Sequence, residues 1–245
     1  MKYMTDIIET YLRKHDFERF DPKVVLFDMD GVLYDSMPNH AVCWQQAMAQ
    51  FGIDMTAKEA YLFEGMRGVE TIQIMFRQQQ GKEISEEEAQ TIYDVKTHLF
   101  GLLPEAPVMD GVKDVMHAIQ DSGRQIGIVT GSGQRPLIQR LLHDFQEFVD
   151  DRHVVTAYDV KHGKPAPDPY LMGLDKAGGL KPWEGIVIEN APLGVQAGVA
   201  ADIFTIGVNS GPLPDSDLSD KGANIVLPDM AALLRLLPDI VASAG

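Results

Sequence analysis

The sequence has little of three things: cysteine, long apolar runs and positive charge. Cys43 is the one cysteine, which excludes an internal disulfide framework and favours a reducing compartment. No stretch approaches the roughly 20 apolar residues that span a bilayer, and residues 1–12 lack the apolar core of a signal peptide. Asp and Glu number 36 against 21 Lys and Arg, a net charge of -15. We expect a cytoplasmic protein that binds neither nucleic acid nor membrane.

The sequence does contain a strong strand signal followed by paired carboxylates. The apolar run at residues 24–27 predicts a buried strand of a parallel sheet that is covered on both faces. Asp28 and Asp30 follow it, at the strand end where open parallel sheets bind ligands. Two carboxylates that start on one side of a strand repel each other. A hard divalent cation is the simplest way to neutralise them, although the pair could also simply cap a turn.

Helical patterns dominate from residue 36 to about residue 105. A helix start at Ser36 is followed by apolar residues at helical spacing, and residues 68–79 predict a second helix. Ser85 and Glu88 form a capping box for a third helix that runs to about residue 100. Prolines and a glycine at residues 104–111 are typical of a linker. We therefore expect a helical block that is inserted after the first strand.

Beyond this linker, strands and helices alternate. The predicted helices lie at residues 112–121, 136–143, 169–177 with Asp168 as N-cap, 193–200 and after Pro228, and the strands at 125–129, 154–155, 186–188, 203–208 and 224–226. Residues 32–35 are predicted to be extended, and residues 5–20 to form an amphipathic helix that packs on the core. The alternation predicts an α/β fold with a doubly wound parallel sheet.

This pattern divides the 245 residues into three parts. Residues 1–22 carry the N-terminal helix, residues 23–35 and 106–245 form the α/β core, and residues 36–105 form the helical cap. The apolar content is sufficient for a proper core. We expect a monomer or a weak homodimer.

Polar residues follow the later strands, where they suit a phosphoryl group. They are Thr130, Gly131 and Ser132 after one strand, Lys164 in a proline-rich loop, and Glu189 and Asn190 after another strand. Hydroxyls and glycine-flanked backbone N–H groups can hold an anion. Each residue taken alone has an ordinary explanation, such as a helix cap or a surface lysine. Their common location near strand ends favours one shared site.

Four motifs in order carry a family resemblance. Asp28-x-Asp30-Gly-Val, Thr130-Gly-Ser132, Lys164-Pro-Ala-Pro-Asp-Pro and Glu189-Asn-x-x-x-Gly194-x-x-Ala-Gly198 resemble the motifs of the haloacid dehalogenase superfamily. The helical insertion resembles the cap of its β-phosphoglucomutase-like and small-phosphatase branch. The resemblance extends from about Lys23 to the C-terminus and implies a Rossmann-like core with an inserted cap.

The resemblance also implies roles for the motif residues. Asp28 would attack phosphorus to give an aspartyl-phosphate, and Asp30 would serve as general acid and then as general base. Thr130 and Lys164, together with the Gly131 and Ser132 segment, would bind and neutralise the transferring group.

The implied cofactor is Mg²⁺. Its ligands would be Asp28, the backbone carbonyl of Asp30, Glu189 and Asn190. The family commonly has Asp where this chain has Asn190, so we expect weaker or retuned Mg²⁺ binding rather than its loss. A non-catalytic phosphosugar-binding protein is the alternative from another functional class.

Cap residues bear on the reaction type. His40 and Trp44 share a helix face, and the resemblance implies that His40 gates the acid and base while Lys96 reaches the active site; a snorkelling Lys96 is the alternative. Arg67 stands one place early for the arginine that grips a second phosphate, and Gly133 replaces a lysine of that branch. We predict a phosphatase of small phosphorylated metabolites such as sugar phosphates, with β-phosphoglucomutase as the alternative.

Overall fold

A six-stranded parallel sheet organises the chain in the computed structural model, which describes residues 2–242. The strands are β1 (Val24–Phe27), β2 (Gln125–Val129), β3 (Val154–Val155), β4 (Gly185–Glu189), β5 (Phe204–Val208) and β6 (Ile225–Leu227). Their order is β3-β2-β1-β4-β5-β6, and the neighbouring strands pair in parallel. The central strand is therefore flanked by β2 and β4, and the predicted parallel sheet is confirmed.

Helices cover both faces of this sheet and form the insertion. They are α1 (Lys2–His15), α2 (Met37–Ala49), α3 (Ala57–Leu62), α4 (Gly68–Gln80), α5 (Glu86–Leu102), α6 (Val112–Asp121), α7 (Arg135–Asp144), α8 (Asp168–Lys176), α9 (Pro192–Ala200), α10 (Ser216–Ser219) and α11 (Met230–Ala242). Capping boxes at Thr56 and Ser85 begin α3 and α5. The capping box that the sequence predicts at Ser85 is thus present.

Two apolar clusters follow from the alternation of side chains along β1. Val25 and Phe27 point into one cluster, which α1, α6, α7 and α11 cover. Val24 and Leu26 point to the opposite face, where α8 and α9 pack. The sheet is therefore wound on both faces, as the buried apolar strand pattern predicts.

The inserted helices α2 to α5 pack mainly on one another. Their apolar cluster includes Trp44, Met48, Ile72, Met75 and Ile92. The division of the chain into residues 1–22, 23–35 with 106–245, and 36–105 stays a prediction. Residues 1 and 243–245, at the ends of that division, lie outside the described residues. No described helix is long and apolar enough to cross a bilayer.

Several local predictions differ from the structure. Helix α1 ends at His15 rather than at residue 20, because Asp16 adopts a left-handed conformation (φ 55°) that terminates the helix. Residues 32 and 33 belong to a turn rather than to an extended piece, with the N–H of Leu33 donating to the Met29 carbonyl, whereas Tyr34 forms isolated β-bridges with Asp30 and Val108. Asp168 is the first residue of α8 and not its N-cap, since its carboxylate pairs with His162.

Helix α1 packs on one face of the sheet through an aromatic cluster. Tyr11 is 1% exposed, and its ring meets Phe20 and Phe204 edge to face. Its hydroxyl donates to the Asp202 carbonyl over 2.8 Å. These contacts support the packing role that the sequence predicts for this helix.

Truncation of Tyr11 tests whether α1 contributes to the core. Replacing Tyr11 with Ala removes a buried ring and should lower the free energy of unfolding by about 3–5 kcal/mol. Tyr3 lies on the same helix and is 69% exposed, so Tyr3→Ala should stay within about 0.5 kcal/mol of wild type. Urea unfolding followed by circular dichroism measures both. Equal stability of the two variants would show that α1 does not contribute to the core.

Candidate active site

The predicted site residues converge at the carboxyl edge of the sheet. Asp28 follows β1 directly, and its N–H donates to the Ile188 carbonyl over 3.0 Å, which continues the ladder. Thr130 follows β2, and Glu189 is the last residue of β4. Gly31 (φ 84°) then turns the chain away from the sheet and toward the cap. The central three strands therefore deliver their polar ends to one place.

A cavity lies between this edge of the sheet and the helical cap, and residues of both line it. Its lining comprises Asp28, Asp30, Thr130, Gly131, Ser132 and Gln134 from the core, and His40, Trp44, Phe63, Glu64, Gly65, Met66, Gly68, Tyr93 and Lys96 from the cap. Arg67 is not brought into this cavity: its guanidinium lies 3.4 Å from both Glu70 and Glu86 at the surface. The other predicted substrate-binding residues lie on its wall.

Lys164 links the two buried carboxylates of the core. Its Nζ lies 2.5 Å from Asp28 Oδ1, 2.6 Å from Glu189 Oε1 and 3.2 Å from the Val129 carbonyl. These contacts use all three protons of the ammonium group. Burial lowers the pKa of Lys164, but the charges of Asp28 and Glu189 outweigh it, so the pKa lies above its ordinary value. The lysine is therefore a permanent cation beside Asp28.

Asp28 titrates near neutrality in this environment. Burial raises the pKa of Asp28 to about 7, helped by the charges of Glu189 and Asp30 and opposed by Lys164. A further cation would favour the ionised, nucleophilic form, because an opposite charge nearby lowers the pKa of a carboxyl group.

Asp30 is held from the cap side. Ser36 Oγ donates to Asp30 Oδ1 over 2.6 Å, and His40 Nε2 lies 3.1 Å from the same oxygen. Burial raises the pKa of Asp30, but the electrostatic effect and hydrogen bond of His40 and the bond from Ser36 outweigh it and hold the pKa below its ordinary value. Ser36 is the N-cap of α2, yet its side chain makes no helix-capping bond. Its hydroxyl donates to Asp30 instead.

Lys96 stands behind His40. Its Nζ lies 2.7 Å from His40 Nδ1 and 5.1–5.8 Å from the ring centroids of Trp44, Tyr93 and Phe100. The side chain is 2% exposed, so the snorkelling alternative is wrong. Burial and the neighbouring Lys96 lower the pKa of His40. A neutral imidazole that accepts from Lys96 and donates to Asp30 satisfies this geometry.

Glu189 is fully hydrogen-bonded. Oε1 accepts from Lys164 Nζ and from the Tyr170 hydroxyl, and Oε2 accepts from the N–H groups of Asn190 and Ala191. A Cβ atom at Gly194 would overlap this carboxylate, which explains why the first turn of α9 carries glycine. Ligation of a metal by Glu189 would require one of its donors to leave.

Asn190 is the residue whose environment points to a metal. Its Oδ1 atom is buried without a hydrogen-bond partner, and such an orphaned acceptor needs an explanation such as an ion. Among the described residues, no group of three His, Cys, Asp and Glu side chains has metal-binding geometry. A hard cation would therefore use the Asp28 carboxylate with the amide oxygen of Asn190 and the backbone carbonyl of Asp30.

Glu64 adds another carboxyl group to the cavity wall. Burial raises the pKa of Glu64 to about 8, and the charges of Asp30 and Asp28 add to the effect. Glu64 thus adds to the negative charge around Asp28 and Asp30, which a divalent cation bound at Asp28 would offset. The residues present thus fit Mg²⁺, and the individual ligands stay a prediction.

The loop after β2 forms the remaining wall. Thr130 Oγ1 accepts from the N–H of Ser132 over 3.0 Å. The cap approaches this loop closely, since a Cβ atom at Gly131 would lie 3.1 Å from the Gly65 carbonyl oxygen. Substitution at Gly131 would therefore disturb the contact between cap and core.

Sequence reasoning missed three residues of this network, Ser36, Glu64 and Tyr170. The pattern at Ser36 predicts the start of a helix, which is correct, but it does not indicate the hydrogen bond to Asp30. Glu64 lies between α3 and α4, where no periodic pattern marks it. Tyr170 resembles any other apolar residue of the buried face of α8.

Comparisons with known proteins agree with this geometry. A sequence model of the family described as haloacid dehalogenase-like hydrolase matches residues 25–208. Hexitol phosphatase A of Escherichia coli is 30% identical over 188 residues, 77% of this chain and 83% of that protein. Beta-phosphoglucomutase of Bacillus subtilis is 26% identical over 204 residues, 80% of this chain and 88% of that protein.

A solved structure is similar over the full length. A putative beta-phosphoglucomutase from Bacteroides vulgatus is 47% identical, with a TM-score of 0.94 and coverage of 99% of this chain and 98% of that chain. The family resemblance predicted from the four motifs is thereby confirmed. Because the family model covers most of the chain and the Escherichia coli relative is 30% identical, this protein belongs to the haloacid dehalogenase-like hydrolase family.

Proposed function

We propose that this enzyme is a Mg²⁺-dependent phosphatase of small phosphorylated metabolites such as sugar phosphates. The observation that carries the proposal is the buried pair of Asp28 and Lys164, a carboxylate nucleophile beside a permanent cation, with Asp28 on the wall of the cavity between core and cap. Phosphoryl transfer depends mainly on positioning and charge stabilisation, and this pair supplies both. The similarity to a hexitol phosphatase supports the same reaction class.

In the first half-reaction the Asp28 carboxylate attacks phosphorus. The bond from Asp28 oxygen to phosphorus forms while the bond to the leaving oxygen breaks, which gives an aspartyl-phosphate. Asp30 is ionised at rest, so the proton that it delivers to the leaving oxygen comes through the cap. The Nε2 proton of His40, 3.1 Å away, passes to Asp30, while Lys96 Nζ, 2.7 Å from Nδ1, gives a proton to the other ring nitrogen. Lys164 neutralises charge on the transferring group. Mg²⁺, when bound, would further neutralise this charge and polarise a phosphoryl oxygen.

In the second half-reaction water attacks phosphorus and the bond to Asp28 breaks. Asp30 removes the proton from this water. The contacts from Ser36 and His40, which keep the pKa of Asp30 low, hold it ready in the ionised form for this step. The products are inorganic phosphate and the free enzyme.

The charges on the cavity wall favour a phosphatase over a mutase. Among the described residues that line the cavity, Lys96 is the single lysine or arginine, and it is engaged with His40. A mutase must hold a bisphosphate in two orientations, which requires cations at both ends. Arg67 is paired with glutamates outside the cavity, and Gly133 supplies no charge.

The chain from Lys96 through His40 to Asp30 favours the second candidate, a β-phosphoglucomutase. These three hydrogen-bonded side chains have the arrangement that the family resemblance implies for gating of the acid and base in the mutase-like branch. The Bacteroides vulgatus structure at 47% identity supports the same candidate. The two functions differ in the acceptor of the phosphoryl group, water or a sugar hydroxyl.

An assay of both products separates the two functions. With β-glucose 1-phosphate, Mg²⁺ and a trace of glucose 1,6-bisphosphate, a phosphatase releases inorganic phosphate, and Asp28→Asn should reduce this release to background because the nucleophile is lost. A panel of other sugar phosphates extends the test if this substrate is not hydrolysed. Bisphosphate-dependent glucose 6-phosphate without phosphate release would establish the mutase instead.

Lys96→Met tests the cap contribution to acid–base catalysis. Methionine keeps the packing against the rings but removes the cation behind His40, so kcat should fall by about tenfold to a hundredfold. Binding of beryllium fluoride at Asp28 should not change, since Lys96 contacts His40 and not Asp28. Lys113→Met, at an exposed lysine 3.8 Å from Glu147, is the control. An unaltered kcat in Lys96→Met would refute this role.

Mg²⁺ binding should release protons. Without a cation the pKa values of Asp28 and Glu64 are about 7 and about 8, both raised first by burial. A cation requires the ionised forms, so its affinity should increase as pH rises from roughly 6 to 9. Calorimetry in two buffers of different ionisation enthalpy counts the protons released, and Asp28→Asn should release fewer. Affinity that does not vary with pH would contradict this account.

A further inference from the structure

Tyr170 is a buried polar residue that the proposed mechanism does not use. Its side chain is 0% exposed, and its hydroxyl donates to Glu189 Oε1 over 2.9 Å. The Nζ atom of Lys164 lies 5.0 Å from the centroid of its ring. Tyr170 therefore contacts both the cation of the site and the carboxylate that holds it.

The geometry makes Glu189 a shared acceptor. Its Oε1 atom receives the Tyr170 hydroxyl and Lys164 Nζ together, and the latter lies 2.6 Å away. Its Oε2 atom receives two backbone N–H groups. Each oxygen thus accepts two hydrogen bonds, which is the full capacity of a carboxylate oxygen.

The position of Lys164 between Asp28 and Glu189 depends on the hydrogen bond that Glu189 accepts from Tyr170. Asp28 and Glu189 compete for the same ammonium group. A hydrogen bond from Tyr170 spreads part of the negative charge of Glu189 and so weakens its attraction for Lys164. Without the hydroxyl, Glu189 would draw Lys164 toward itself and away from Asp28, where the phosphoryl group is transferred.

We propose that Tyr170 is a positioning residue, whose hydroxyl acts through Glu189 to hold Lys164 at the nucleophile. This inference rests on the proposed phosphoryl transfer at Asp28. Tyr170 reaches this place because it lies in the first turn of α8, which the proline-rich loop that carries Lys164 leads into. The two side chains that meet at Glu189 are therefore positioned by one short segment.

The test compares Tyr170→Phe with Tyr11→Phe. Each substitution removes one buried tyrosine hydroxyl and its hydrogen bond, of 2.9 Å and 2.8 Å respectively, while the ring remains. Both should lower the melting temperature to a similar extent, so stability does not separate them. The probe is beryllium fluoride with Mg²⁺, a mimic of the phosphoryl group on Asp28, and calorimetry measures its affinity.

Tyr170→Phe should bind beryllium fluoride about tenfold more weakly than wild type, the order of one hydrogen bond to a charged group. Tyr11→Phe should bind it as wild type does. For a substrate that the wild-type enzyme hydrolyses, kcat should fall in Tyr170→Phe together with the affinity for beryllium fluoride. It should not fall in Tyr11→Phe.

The outcomes separate this inference from the proposed function. Wild-type affinity in Tyr170→Phe would overturn the positioning role and leave the phosphatase in place. A wild-type chain that neither binds beryllium fluoride nor hydrolyses phosphate monoesters would overturn the proposed function and this inference together. An equal loss of affinity in Tyr11→Phe would also overturn it, because the effect would then be one of general stability.

Discussion

The contact of Lys164 with Asp28 and Glu189 is the interaction on which the arrangement of the site depends. Two carboxylates buried at neighbouring strand ends are costly unless a cation pairs with them, and the lysine lies within 2.6 Å of both. The sheet order brings the two carboxylates together, since β1 and β4 are neighbours, Asp28 follows β1 and Glu189 is the last residue of β4. The cost of burial is thereby offset at the place where negative charge must later be stabilised.

Asp28 and Asp30, the proposed nucleophile and the proposed acid, are held by different parts of the chain. Lys164 fixes Asp28 from the core, whereas Ser36 and His40 fix Asp30 from the cap side, with Lys96 behind His40. Movement of the cap would therefore disturb Asp30 before it disturbs Asp28. The close approach of the cap loop to Gly131 brings both carboxylates to the wall of one cavity, and their burial strengthens the electrostatic interactions they make.

Strand ends and motif spacing made much of this site predictable from the sequence. Asp28, Thr130 and Glu189 follow apolar strands, and parallel strands bring such positions together whatever the details of packing. Tyr170 and Glu64 could not be found in this way, because their roles arise from tertiary contacts that leave no periodic signal. Similarly, Asp168 has the chemistry of an N-cap, but a nearby His162 competes for its carboxylate.

The most direct test of the account is to trap the covalent intermediate. A hydrolysed phosphate monoester is mixed rapidly with enzyme and Mg²⁺, quenched in acid, and digested for peptide mass mapping. The account predicts one phosphoryl group on Asp28, absent from Asp28→Asn. A phosphoryl group on another residue such as His40, or steady phosphate release with no covalent intermediate at any quench time, would contradict it.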